Sequence, residues 1–310
     1  YRPTYDDRVG PHSTPLLVDG RLFTIGINGD FYCLDAASGA VLWEYDLVSD
    51  FGLRRPQAGY AASPIAVDDS VIVQIGGSPG IVAFSQDKGK VVWAKHDVQV
   101  SHASPILIDV DGERQLVFHL VREILAVDPE DGSRLWQLDL PDHGGDNVAF
   151  TPVWDAERGR LLLSYPYGSR YGGRALELRR SGRATAVREV WANSRFRVDH
   201  TNAVLTGRQL CASRSRGGGP AFLVCLDAAS GEELWRVRHP KVNFVAAGSR
   251  LLLLDEDGVL MLARPAETGL EILAERQLLE YNAWTAPTLV GRRLYLRDQS
   301  KLIALELPAD

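Results

Sequence analysis

Three of the seven histidines in this 310-residue chain, His12, His102 and His200, occupy one repeated position. Each lies three residues ahead of a proline, or of the residue that replaces it, at the start of a repeat. Imidazole is the commonest side-chain ligand of divalent transition metals, and three imidazoles around an open fourth position make a catalytic rather than a structural site. Converging, they would hold zinc, manganese, iron or copper and support a lyase, hydrolase or oxidase acting on an anionic substrate. Asp199 and Tyr60 stand close to two of these starts and are the catalytic acid/base candidates. The binding candidates are Asn202, Lys241, Tyr281 and Trp284, with the loop arginines Arg54, Arg55, Arg170 and Arg197. Guanidinium forks pair with carboxylate or phosphate, and aromatic rings stack on sugars and other rings. A second reading of the same column is structural: the histidines cap neighbouring backbone at the turn that opens each repeat. His96, His119, His143 and His239 are scattered and read as surface or locally bonded residues.

Other chemistries find no support. A net charge of −6 argues against a nucleic-acid binder, which needs a basic excess or a dense basic stripe. No run of 18 or more apolar residues is present to span a bilayer as a helix. The opening residues, YRPTYDD, form neither a signal peptide nor a lipidation motif. The GINGDF stretch belongs to a hairpin, and no GxGxxG opens a helix, so dinucleotide and P-loop readings fail. Cys33, Cys211 and Cys225 lack CxxC spacing and read as buried free thiols packing as small hydrophobes.

The elements that must position these residues are repeats. LDAASGAVLW, FSQDKGKVVW, VDPEDGSRLW and LDAASGEELW end at Trp43, Trp93, Trp136 and Trp235, each with glycine four residues before the tryptophan, and a degenerate copy ends at Trp191. Upstream of these lies a second landmark, a proline after small polar residues, at Pro15, Pro64, Pro105 and Pro152, with Pro287 opening the last unit. Seven repeat starts result, near residues 12, 61, 102, 149, 200, 241 and 284. A period of this length signals a propeller or solenoid. Each unit offers four short β-rich runs split by turn signals such as VDG, NGD and ASG, which predicts a four-stranded antiparallel meander. The chain therefore reads as one all-β domain over residues 1–310, a seven-bladed β-propeller. The last unit has only three strands, and the segment Tyr1–Asp7 is expected to supply the fourth and close the ring.

The pattern SP…DG…LDxxTGxxxW resembles the PQQ-like repeat of quinoprotein dehydrogenases and of BamB-like propellers. The resemblance covers nearly the whole chain and implies a structural role for its shared residues: glycine permits the turn, aspartate bonds turn backbone, and tryptophan packs between blades. It implies an exported protein, periplasmic or secreted, that acts as a binding or scaffold module for a protein, peptide or glycan, or an anionic small molecule, through the funnel at the blade starts. A monomer is expected. The quinone of the repeat's name is not expected as a cofactor, because dehydrogenases with this repeat hold it against adjacent cysteines and this chain has none.

Overall fold

The computed structural model describes residues 12–56, 58–140, 148–165, 172–182, 184–198, 201–214, 221–280 and 282–308. It is all-β, and its sheets are the blades of a seven-bladed β-propeller. Every sheet is an antiparallel meander in sequence order. The first blade comprises β1 (Leu16–Val18), β2 (Arg21–Ile25), β3 (Asp30–Asp35) and β4 (Val41–Asp46). The second comprises β5 (Ile65–Val67), β6 (Ser70–Gln74), β7 (Ile81–Ser85) and β8 (Val91–Lys95). The third comprises β9 (Ile106–Val110), β10 (Glu113–His119), β11 (Glu123–Val127) and β12 (Arg134–Asp139). The fourth comprises β13 (Val153–Asp155), β14 (Arg160–Ser164), β15 (Gly173–Ser181) and β16 (Ala184–Asn193). The fifth comprises β17 (Ala203–Thr206), β18 (Gln209–Arg214), β19 (Phe222–Asp227) and β20 (Glu233–Arg238). The sixth comprises β21 (Val242–Ala247), β22 (Arg250–Asp255), β23 (Val259–Pro265) and β24 (Leu270–Gln277). The last has three described strands, β25 (Thr288–Val290), β26 (Arg293–Arg297) and β27 (Leu302–Glu306). The segment expected to complete it, Tyr1–Asp7, lies outside the described residues.

Two compact units divide the chain. One holds residues 1–152 with 178–187, the far end of the β15–β16 hairpin; the other holds 153–177 and 188–310.

In the first unit the turn residues explain the strand pairing. Asp19 and Gly20 both have positive φ, 45° and 74°, as do Asp111 and Gly112, which is what a two-residue type I′ turn requires and why aspartate and glycine sit there. The LDAASG aspartate works as the resemblance implies: the Asp35 carboxylate accepts the Ser38 N–H at 2.8 Å and its hydroxyl at 2.6 Å. Those bonds hold its carboxyl below the usual carboxylate range. Successive blades are then joined twice. The Trp43 indole N–H donates to the Gln86 carbonyl at 3.1 Å with its ring over Gly89, and Trp93 donates to the Pro129 carbonyl with its ring over Gly132. A Cβ at either glycine would fall within 2.7 Å of the ring, so the glycine of one blade is kept for the tryptophan of the blade before it. Among the described residues, Trp136 lies over no such glycine. Its N–H donates to Gln115 Oε1, whose amide donates in turn to the Thr185 hydroxyl, both at 2.7 Å. The second link is a ladder of hydroxyls at the blade starts: Thr14 N–H to Ser63, Ser63 N–H to Ser104, and Ser104 N–H to Thr151, at 2.8, 3.0 and 3.0 Å.

The second unit repeats the tryptophan link. Trp191 donates to the Ala228 carbonyl over Gly231, and Trp235 donates to the Ala266 carbonyl. Its blade starts are tied by asparagines: Asn202 accepts the Phe244 N–H and donates to the Phe244 carbonyl, and Asn243 donates to the Trp284 carbonyl. Here one sequence expectation is corrected. Cys211 and Cys225 are directly opposed on β18 and β19 and form a disulfide, with Cα atoms 4.1 Å apart. Cross-strand neighbours in an antiparallel sheet come close enough for this bond, although 14 residues separate them in the chain. Cys33 is a buried free thiol as expected, because its partner on β2 is Phe23.

Candidate binding site

Three stretches of the first unit meet at one end of its sheets. They are the blade connection after β4, the β6–β7 turn at 75–80, and the blade connection after β8. In a meander of this kind the connection from outer to inner strand and the turn between second and third strands emerge on the same side, so adjacent blades bring their loops together there. Backbone bonds lock them. Gly77 and Val98 exchange N–H···O bonds at 2.9 and 3.1 Å, Gly80 donates to the His96 carbonyl at 2.6 Å, and Tyr60 donates its N–H to the Ile27 carbonyl at 3.0 Å. Gly76 and Gly77 have φ of 75° and 72°, and a Cβ on either would press to 2.9 Å of Val100 or 2.8 Å of Leu53. The GG pair is thus needed for both conformation and closeness.

The result is a cavity of about 220 Å³ with walls of Pro56, Ile75, Val98 and Val100 and the backbone of the glycines. Among the described residues, Arg54 and His102 are the ionisable ones that line it. Arg54 is exposed, and no acceptor among the described residues pairs with it. His102 is half-buried, and its N–H donates to the Val148 carbonyl at 2.8 Å. That bond is made by the main chain and does not involve the imidazole.

The other candidate residues fall variously. Tyr60 is 3% exposed, its hydroxyl donates to the Ile75 carbonyl at 3.0 Å, and burial followed by the nearby Asp46 charge pushes its pKa up to about 12. The phenol is thus hydrogen-bonded within the fold, bracing the β6–β7 turn. Arg55 donates to Asn28 Oδ1 at 3.1 Å. His12 is exposed and is not part of the cavity wall. In the second unit Asn202 is the strut described above, the Lys241 N–H donates to Glu256, Arg197 Nε donates to the Ser194 carbonyl, and Trp284 is 61% exposed. Asp199, His200, Tyr281 and Arg170 lie outside the described residues, as does His143. Among the described residues no group of three or more histidine, cysteine, aspartate or glutamate side chains is placed to hold a metal. His119, read as surface or local, is 1% exposed and its Nδ1 lies 3.0 Å from the Phe150 carbonyl.

Sequence reasoning missed the 98–100 segment. Its only signal is position: it is the connection between the second and third blades, the same kind of loop as the 50–60 stretch that was singled out for its arginines.

Meander blades joined by tryptophan and hydroxyl links define a PQQ-like propeller. The chain belongs to the family described as outer membrane protein assembly factor BamB, which matches residues 7–219. It is 24% identical over 294 residues to BamB of Burkholderia pseudomallei, covering 92% of this chain and 70% of that protein. It is also 30% identical over 137 residues to the quinoprotein alcohol dehydrogenase PedH of Pseudomonas putida, covering 41% of this chain but only 22% of the dehydrogenase. Among solved structures, BamB from Moraxella catarrhalis superposes with a TM-score of 0.68 at 18% identity, covering 94% of this chain and 84% of that one. This last likeness concerns the fold.

Proposed function

We propose that this propeller is a non-catalytic binding module that docks a protein or peptide on the loop face at its blade starts, in the manner of an assembly factor. The carrying observation is the preformed cavity between the first three blades, built by three loops cross-tied by backbone hydrogen bonds, in a chain of the BamB family. At about 220 Å³ it is smaller than the roughly 300–1,000 Å³ of cofactor and drug-sized pockets, and suits one or two side chains of a partner. The first three blade starts are held by a hydroxyl ladder that involves no titratable group, which suits a rigid docking platform. The compartment we assign is the periplasm: the Cys211–Cys225 disulfide persists in oxidising surroundings, and the family's description is of outer-membrane assembly. No described helix is long and apolar enough to cross a membrane.

Site-specific photo-crosslinking in cells tests this. A photoreactive residue at Gln99 or Arg55 should yield one discrete adduct with a protein of the outer-membrane assembly machinery, and the same residue at Lys88, in the turn at the opposite end of the second blade, should yield none. Absence of adducts at the first two positions, or an equal adduct at Lys88, refutes the reading.

A further inference from the structure

We infer that the cavity of the first three blades takes a large apolar side chain followed by a carboxylate, on a segment of the partner protein. This rests on the binding-module reading and specifies its ligand. The walls decide the first half. Pro56, Ala58, Ile75, Val98 and Val100 offer no hydrogen-bonding side-chain atom and outweigh the amide of Gln99, so a hydroxyl-rich sugar pressed against them would lose water with little recompense, whereas an aromatic or branched aliphatic side chain gains by leaving water. The volume agrees, since about 220 Å³ admits one such side chain with adjoining backbone and little more.

The charge decides the second half. The protein carries a net charge of −6, yet among the described residues no acidic side chain lines this cavity, and the ionisable ones that do are Arg54 and His102. The exposed Arg54 guanidinium has no acceptor among the described residues, and a planar fork in that state is matched by a carboxylate taking two parallel N–H bonds. Gly76 and Gly77 shape this wall by letting Val100 and Leu53 of the protein itself pack against their backbone. The complementary motif is therefore a large apolar residue next to glutamate or aspartate.

Fluorescence anisotropy with the full chain and a labelled hexapeptide, acetylated and amidated, with phenylalanine–glutamate at its centre provides the test. Saturable binding is expected, lost when the phenylalanine is replaced by serine. Arg54→Glu should weaken binding about tenfold or more, the worth of a charge-assisted pair, and should prefer a phenylalanine–lysine peptide. Arg54 is exposed, so the variant should melt with the wild type. No binding to the wild type, or equal binding by Arg54→Glu, overturns the inference. If the Gln99 adduct persists while the peptide fails to bind, only the ligand assignment falls; if both fail, the binding-module reading falls with it.

Discussion

The backbone N–H of Ser63 donates to the hydroxyl of Ser104, 41 residues further on, at 3.0 Å. Thr14 makes the same bond to Ser63, and Ser104 to Thr151. Each of these hydroxyl residues stands directly before the landmark proline of its blade, so the small polar residue before proline is kept for the N–H of the preceding blade.

Ser104→Ala should therefore cost about 1–2 kcal/mol, the range for leaving a part-buried N–H without its acceptor. Ser104→Thr, which keeps the hydroxyl, should recover most of it. Chemical denaturation of the two variants measures the difference, and equal loss by both would show that volume rather than the bond matters.

Two glycines with similar backbone separate steric from conformational demands. Gly132 has φ of 72° and faces the Trp93 ring, where a Cβ would lie 2.5 Å away, while Gly112 has φ of 89° and nothing within 4 Å. Gly112→Ala should cost about 1 kcal/mol of backbone strain, and Gly132→Ala a further 1–3 kcal/mol of overpacking. The Trp93 link would loosen with it, and the two melting temperatures report the ordering.

Replacing both Cys211 and Cys225 by alanine should lower stability by about 2–4 kcal/mol, as expected when a closed loop of this length is opened. Mass spectrometry of the unreduced, denatured protein should find one alkylatable thiol, Cys33, and three after reduction.

Asp255 is 4% exposed, and burial lifts its carboxyl above the ordinary range against the opposing bonds from Val259 and Asp257 and the His239 charge. A raised folded-state value means the native protein binds the proton more tightly than the unfolded chain, so this group's contribution is fullest below the unfolded value and falls as pH rises through the folded one. Asp255→Asn keeps an oxygen for the Asp257 and Val259 N–H groups without the buried charge. The variant should gain stability relative to wild type at neutral pH, and the gain should shrink as pH falls through the carboxylate range. A pH series of denaturation midpoints checks the sign.

The blade count, the meander order and the turn positions were legible in the sequence because they rest on short-range chemistry: period-two alternation, aspartate and glycine at turns needing positive φ, and tandem repetition. Several partnerships were not. Glycine and tryptophan four residues apart read as one motif, yet Gly132 serves Trp93 of the preceding blade rather than Trp136 of its own. Cys33 and Cys225 sit in matching strings, and only the residue opposite each, Phe23 or Cys211, decided which stayed a thiol. Tyr60 stands beside a blade start in the sequence, and only packing shows its hydroxyl bonded to the Ile75 carbonyl. A repeat specifies each blade's own hydrogen bonds locally, whereas the bond between blades depends on which atoms some forty residues apart are brought within 3 Å, and only the tertiary structure sets that distance.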